Sequence, residues 1–132
     1  MITVRTTKKE EIIVITDQVR EEVKKSKVKT GLINIFCLHA TAALMINENA
    51  DPLLLEDILN SLRKIVPEHD NYHHDRIDNN AAAHLRAGLL HSSLTIQIQD
   101  GDILLGQWQG ILLVELDGPR ARQVETKIVK VE

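Results

Sequence analysis

GLINIFCLHATAALMINENADP, residues 31 to 52, decides the fold. In its opening run Ile33, Ile35, Cys37 and His39 fall on one face of an extended strand, and Leu32, Phe36 and Leu38 fall on the other. Side chains alternate across a strand, so apolar residues on both faces mark an inner strand. His39-Ala40-Thr41 reads as a bend. Ala42, Leu44, Ile46 and Glu48 then resume the alternation in a second strand. Asp51-Pro52 follows as a helix start, an N-cap before proline at the first helical position, where proline's missing N–H costs nothing.

Beyond this stretch the helix runs to about Ile65, with Leu55, Ile58, Leu59, Leu62 and Ile65 as its apolar stripe, and Pro67 ends it. A polar loop leads to a second helix from Asn79 or Asn80 to Leu90. Ala81, Ala82, Leu85 and Leu89 make its apolar face, with His84 and His91 on the edge. The last third is β. Leu94, Ile96 and Ile98 point inward, Asp100-Gly101 signals a hairpin, and residues 102–109 return as a strand. Residues 111–116 (ILLVEL) form a buried strand holding Glu115. Asp117-Gly118-Pro119 turns the chain, and an alternating strand closes it.

Towards the N-terminus, residues 1–7 and 11–16 read as two strands of a hairpin looped by Lys8-Lys9-Glu10. Asp17 reads as the N-cap of a helix that carries Val19 and Val23. Strands, helix, strands, two helices and strands indicate one α+β domain over residues 1–132, with about three helices and a largely antiparallel or mixed sheet.

Composition narrows the function. Aromatic residues are 2% of the chain, so the core is built from Ile, Leu, Val and Ala, and stacking platforms for single-stranded nucleic acid are not expected. A formal charge of −3 argues against general nucleic-acid binding. Cys37 is the only cysteine, so there is no internal disulfide. No apolar run reaches the length of a membrane span, no membrane partner is expected, and the cytoplasm is the default compartment.

Residues 68–91 hold five of the six histidines, His69, His73, His74, His84 and His91, among Asp70, Asp75 and Asp78. Imidazole and carboxylate bind divalent metals and move protons near neutral pH. His39 follows a buried strand directly. It is either a pocket ligand or proton carrier, or a turn histidine bonded to backbone. His84 is either a partly buried structural histidine or, with His73 and His74, part of a metal site. Glu115 interrupts an apolar strand, and a buried carboxylate needs a partner. That partner is Arg120 or Arg122, or else a metal or substrate. Arg120 and Arg122 beside the tight turn suit a phosphate or another anion, and also a solvated salt bridge. Trp108, between Gly106 and Gly110, shapes a pocket wall or marks a bend.

Taken together, HATAALMINENAD (39–51), YHHD (72–75), NAAAHLRAGLL (80–90), SLTIQIQDG (93–101), LGQWQGI (105–111) and ELDGPRAR (115–122) run in order along nearly the whole chain. The set resembles the YjbQ-like family, also called the secondary thiamine-phosphate synthase family. Two departures stand out: Gln97 where the family commonly has proline, and Gln107 where it commonly has threonine.

The resemblance implies a sandwich-like α+β protein, usually a trimer, with a polar pocket that holds a divalent metal (zinc or magnesium) in some members. Carried over residue by residue, it implies His39, Glu48, His84 and Glu115 as catalytic groups and His39, His74, His84 and Glu115 as metal ligands. It also implies Asn47, Asp78, Trp108, Gln109 and Arg120 as substrate contacts, to which the arginine-rich turn adds Arg122; Asp51 is a further matching position. The implied activity is weak thiamine-phosphate synthesis, joining a pyrimidine-methyl diphosphate to a thiazole phosphate and releasing diphosphate. The expectation is therefore a metal-assisted enzyme for phosphorylated small molecules. A non-catalytic binding protein for a phosphorylated metabolite or metal, a metal-dependent hydrolase, and an interaction protein are its rivals.

Overall fold

The computed structural model describes residues 1–131. Its elements are β1 (Ile2–Arg5), β2 (Glu11–Val14), α1 (Thr16–Ser26), β3 (Gly31–Cys37), β4 (Ala42–Glu48), α2 (Pro52–Ile65), α3 (Ala81–Leu89), β5 (Ser93–Gln99), β6 (Asp102–Ile103), β7 (Gln109–Glu115) and β8 (Ala121–Lys130). A 3₁₀ turn at His73–Arg76 precedes α3. The strands form two antiparallel sheets, ordered β1-β8-β3-β5-β6 and β2-β7-β4. This is the α+β, sandwich-like class expected, and every strand pair is antiparallel rather than mixed.

The core lies between the sheets. Ile33, Ile35 and Cys37 of β3, Ile96 and Ile98 of β5 and Val124 of β8 meet Ala42, Leu44, Ile111 and Leu113 of the smaller sheet. Burying one such Ile, Leu or Val stabilises by about 1.5–3 kcal/mol, so this aliphatic layer supplies the main driving force. Val19 and Val23 of α1 close one end of the sandwich. On the other face of the smaller sheet, Leu62 of α2 and Ala83 of α3 pack on Val114 and Leu116, giving a third, helical layer.

Several local expectations hold. Asp51 caps α2, its carboxylate accepting from the Leu53 N–H at 2.9 Å. Asp100 and Gly101 both take positive φ between Gln99 and Asp102, as a two-residue hairpin turn requires.

Others change. Strands β1 and β2 are not a hairpin: β1 pairs with β8 and β2 with β7, so residues 6–10 cross between sheets. Helix α1 starts at Thr16, and Asp17 lies in its first turn. The return after Gly101 pairs only through Ile103 in β6, and Leu104–Trp108 is loop.

Helix α3 buries Ala81, Ala82, Ala83 and Arg86, not Leu85 and Leu89. The reason is Arg86, only 1% exposed, which donates to Glu10 at 2.6 Å and to the Val66 carbonyl at 2.9 Å. Drawing that guanidinium inward turns the two leucines toward solvent. Strand β3 is central in its sheet, yet its second face stays open, with Leu32, Phe36 and Leu38 exposed.

Candidate functional site

The bend after β3 carries His39 out of the sheet at the edge where β7 ends and β8 begins. The Gln123 backbone N–H donates to His39 Nε2 at 2.8 Å. A nitrogen that accepts carries no proton, so the neutral ring holds its proton on Nδ1. Burial lowers the pKa of His39; Arg122 and Arg120 lower it further, against the opposing charge of Glu115. His39 is therefore a neutral imidazole with Nδ1–H as donor.

Behind it lies a closed polar cluster. Glu115 ends β7, wholly buried. It accepts from Thr6 Oγ1 at 2.7 Å, from Arg122 Nε at 2.8 Å and from the N–H groups of Leu116 and Asp117 at 3.0 and 3.1 Å. Arg122 Nη2 also donates to Glu115, and it reaches Thr41 Oγ1 at 2.9 Å. Burial pushes the Glu115 carboxyl up, but the bonds from Arg122, Thr6 and the Asp117 amide outweigh it and hold the group below the usual carboxylate range. Gly118 fits against this cluster because a Cβ there would stand 2.8 Å from both Glu115 Cγ and Thr6 Oγ1.

In front of the cluster opens a cleft of about 650 Å³. His39 and Thr41 line one wall, Asp78, Asn80 and His84 another, and Asp117, Arg120 and Arg122 the floor and rim. Asp117 accepts from Asn80 Nδ2 at 2.9 Å and from Arg120 Nη2 at 3.4 Å. Arg120 is otherwise free at the rim, and Arg122 Nη1 has no partner among the described residues. The rings of His74 and His84 meet edge to face, 4.7 Å between centroids. His74 Nε2 is buried without a hydrogen bond and lies 3.9 Å from Asp78 Oδ2.

The structure thus brings His39, His84, Asp78, Arg120 and Arg122 together, with His74 adjoining. It does not bring in Asn47, Glu48, Trp108 and Gln109. Glu48 pairs with Gln109 at one end of the smaller sheet and Ala42 with Glu115 at the other, six residues or about 20 Å apart. Trp108 is 60% exposed there. Glu115, expected as a catalytic group and metal ligand, does not line the cleft, because Arg122 and Thr6 occupy its oxygens; of its two suggested protein partners, Arg122 is the real one.

The four expected metal ligands do not converge. His39 Nε2 is taken by Gln123 and Glu115 by Arg122. Among the described residues no three His, Cys, Asp or Glu side chains stand close enough to hold a metal ion. As arranged, this donor set does not fit one. Thr41, Asn80 and Asp117 were missed as site residues. In the sequence Asp117 and Asn80 read only as a turn and a helix start, and Thr41 only as part of a bend.

Compared with known proteins, residues 1–131 match the family model described as "UPF0047 protein YjbQ-like". A UPF0047 protein of Archaeoglobus fulgidus is 47% identical, covering 96% of this chain and 97% of that protein. A crystal structure from Clostridium acetobutylicum, described as an uncharacterized conserved protein of the yjbq/upf0047 family, superposes with a TM-score of 0.93 at 42% identity, over 97% of this chain and 98% of that one. A Sulfolobus solfataricus structure, described as a YbjQ-like protein of unknown function, gives 0.94 at 40% identity, over 98% and 94%.

Proposed function

The chain belongs to the UPF0047 protein YjbQ-like family, and from that premise we propose that it is an enzyme acting on a phosphorylated small molecule in the His39–His84–Arg120 cleft. The reaction proposed is thiamine-phosphate synthesis of low efficiency. One observation carries the reading: two histidines and the rim guanidinium of Arg120 line a single open cleft.

In that reaction the C–O bond to diphosphate breaks and the departing oxygen keeps its electron pair. The thiazole nitrogen supplies the pair for the new C–N bond. No proton needs to move in this step, so the protein's task is to hold the two reactants together and stabilise the growing charge on diphosphate. Arg120 is placed for the second role, since a guanidinium binds phosphate oxygens in a fork. Arg122 Nη1 backs it. The His39 Nδ1–H offers a neutral donor, and His84 stands on the facing wall.

A homo-oligomer, a trimer by resemblance, is part of the proposal. The uncovered face of the larger sheet, where Leu32, Phe36, Leu38 and Val129 are exposed, supports it. Cytoplasmic location is proposed alongside; no described helix is long and apolar enough to cross a membrane.

The test is mass spectrometry of product formed from a pyrimidine-methyl diphosphate and a thiazole phosphate. Wild type should form product, and folded His84→Ala should not. A second reading, binding without turnover, is favoured by the commitment of the buried carboxylate of Glu115 to Arg122. Ligand-induced thermal stabilisation with no product would select it.

A further inference from the structure

His84 lines more than the polar cleft. It also lines a hollow of about 300 Å³, whose walls include Tyr72, His74, Ala81 and Leu85. Among the described residues no Asp, Glu, Lys or Arg faces this hollow, whereas Asp78, Asp117, Arg120 and Arg122 all face the cleft. Two spaces of opposite character thus meet at one imidazole.

We propose that the hollow beside His84 is a subsite for the carbon skeleton of the substrate, so that the site selects phosphate esters of aromatic or branched alcohols over small polar phosphates. The proposal rests on reading the cleft as the anion site. The Tyr72 hydroxyl donates to the Pro67 carbonyl at 2.8 Å, which ties down its polar end and leaves the ring as wall. Leu85 is 47% exposed and belongs to neither core cluster, so about half of its surface is without protein cover. A dry cavity of about 150 Å³ is enough to take benzene, so a single ring fits the space. Aromatic walls set edge-on, as His74 is to His84, favour a flat guest. Continuity with the anion cleft through His84 fixes what the guest is attached to.

Calorimetric titration of benzyl phosphate and of inorganic phosphate measures the subsite as a ratio of affinities. In wild type, benzyl phosphate should bind about tenfold tighter, a difference of about 1.4 kcal/mol. In Leu85→Ser, a surface change that leaves both core clusters intact, the ratio should fall below about threefold. Equal affinities in wild type, or a ratio kept in Leu85→Ser, would overturn the subsite while the anion cleft stands. Failure of both ligands to bind would overturn the cleft reading and the subsite with it. Loss of oligomer in Leu85→Ser with the ratio unchanged would assign the hollow to a second copy of the chain instead.

Discussion

Arg122, near the start of β8, clasps Glu115 at the end of β7, with Nε 2.8 Å from Oε1 and both residues at most 1% exposed. Burying two charges costs several kcal/mol per ion and is offset only when hydrogen bonds satisfy the remaining lone pairs. Thr6 and two backbone N–H groups do this for Glu115, and Thr41 does it for Arg122. The pair ties β1, β7, β8 and the His39 bend into one unit. Its place is behind the cleft, as scaffold.

Removing one member should therefore unfold rather than merely inactivate. Glu115→Ala leaves Arg122 buried without its anion, and the expected loss is about 3–5 kcal/mol. Urea denaturation would show it as a lower midpoint at an unchanged slope. A loss within about 0.5 kcal/mol would mean the pair is solvated in solution.

Acid should act through the same group. The folded-state carboxyl of Glu115 titrates below its unfolded value. Its contribution is then fully present above the usual carboxylate range and is lost as pH falls through the folded value. Wild-type stability should decline steadily below about pH 4.5. In Glu115→Gln, stability should be lower at neutral pH and this part of the acid dependence should disappear.

His39 carries a second pH signature. With Gln123 N–H on Nε2 and burial disfavouring the cation, its titration should lie below the free value of about 6.5. Nitrogen-detected NMR should find the proton on Nδ1. Arg120→Gln removes a neighbouring positive charge and should shift the titration upward. A proton on Nε2 would contradict the hydrogen bond on which this assignment depends.

Gly118 gives a steric counterpart. Gly118→Ala forces a methyl against the Lys8 backbone carbonyl oxygen, with Glu115 Cγ and Thr6 Oγ1 both 2.8 Å away. Overpacking of this kind costs about 1–3 kcal/mol. Thermal melts should show the loss.

Local signals in the sequence carried far. The alternation in residues 31–48, the Asp51-Pro52 cap and the Asp100-Gly101 turn all appear where those residue types dictate. What failed was non-local. Strands β1 and β2 looked like a hairpin because they are adjacent, yet each finds its hydrogen bonds with a strand more than 90 residues away. The buried face of α3 is not legible in the sequence because Arg86 reads as a surface residue until Glu10 and Glu68 are brought to it from elsewhere.

The same division holds at the site. His39, His84 and the Asp117–Arg122 turn were identifiable as chemistry-bearing residues. That Glu115 is locked away, that His39 Nε2 is occupied and that Glu48 and Trp108 lie at the far end depend on registers no single stretch encodes.

The central claim is that Arg120 holds an anion over the His39–His84 cleft. Calorimetric titration of inorganic diphosphate into wild type and Arg120→Gln tests it most directly. Arg120 is half exposed and outside the core, so the variant should fold. Diphosphate should bind wild type and lose about tenfold or more in Arg120→Gln, the worth of about 1.5–3 kcal/mol for a charge-assisted hydrogen bond. Equal binding by both proteins would contradict the claim and move the anion away from this cleft.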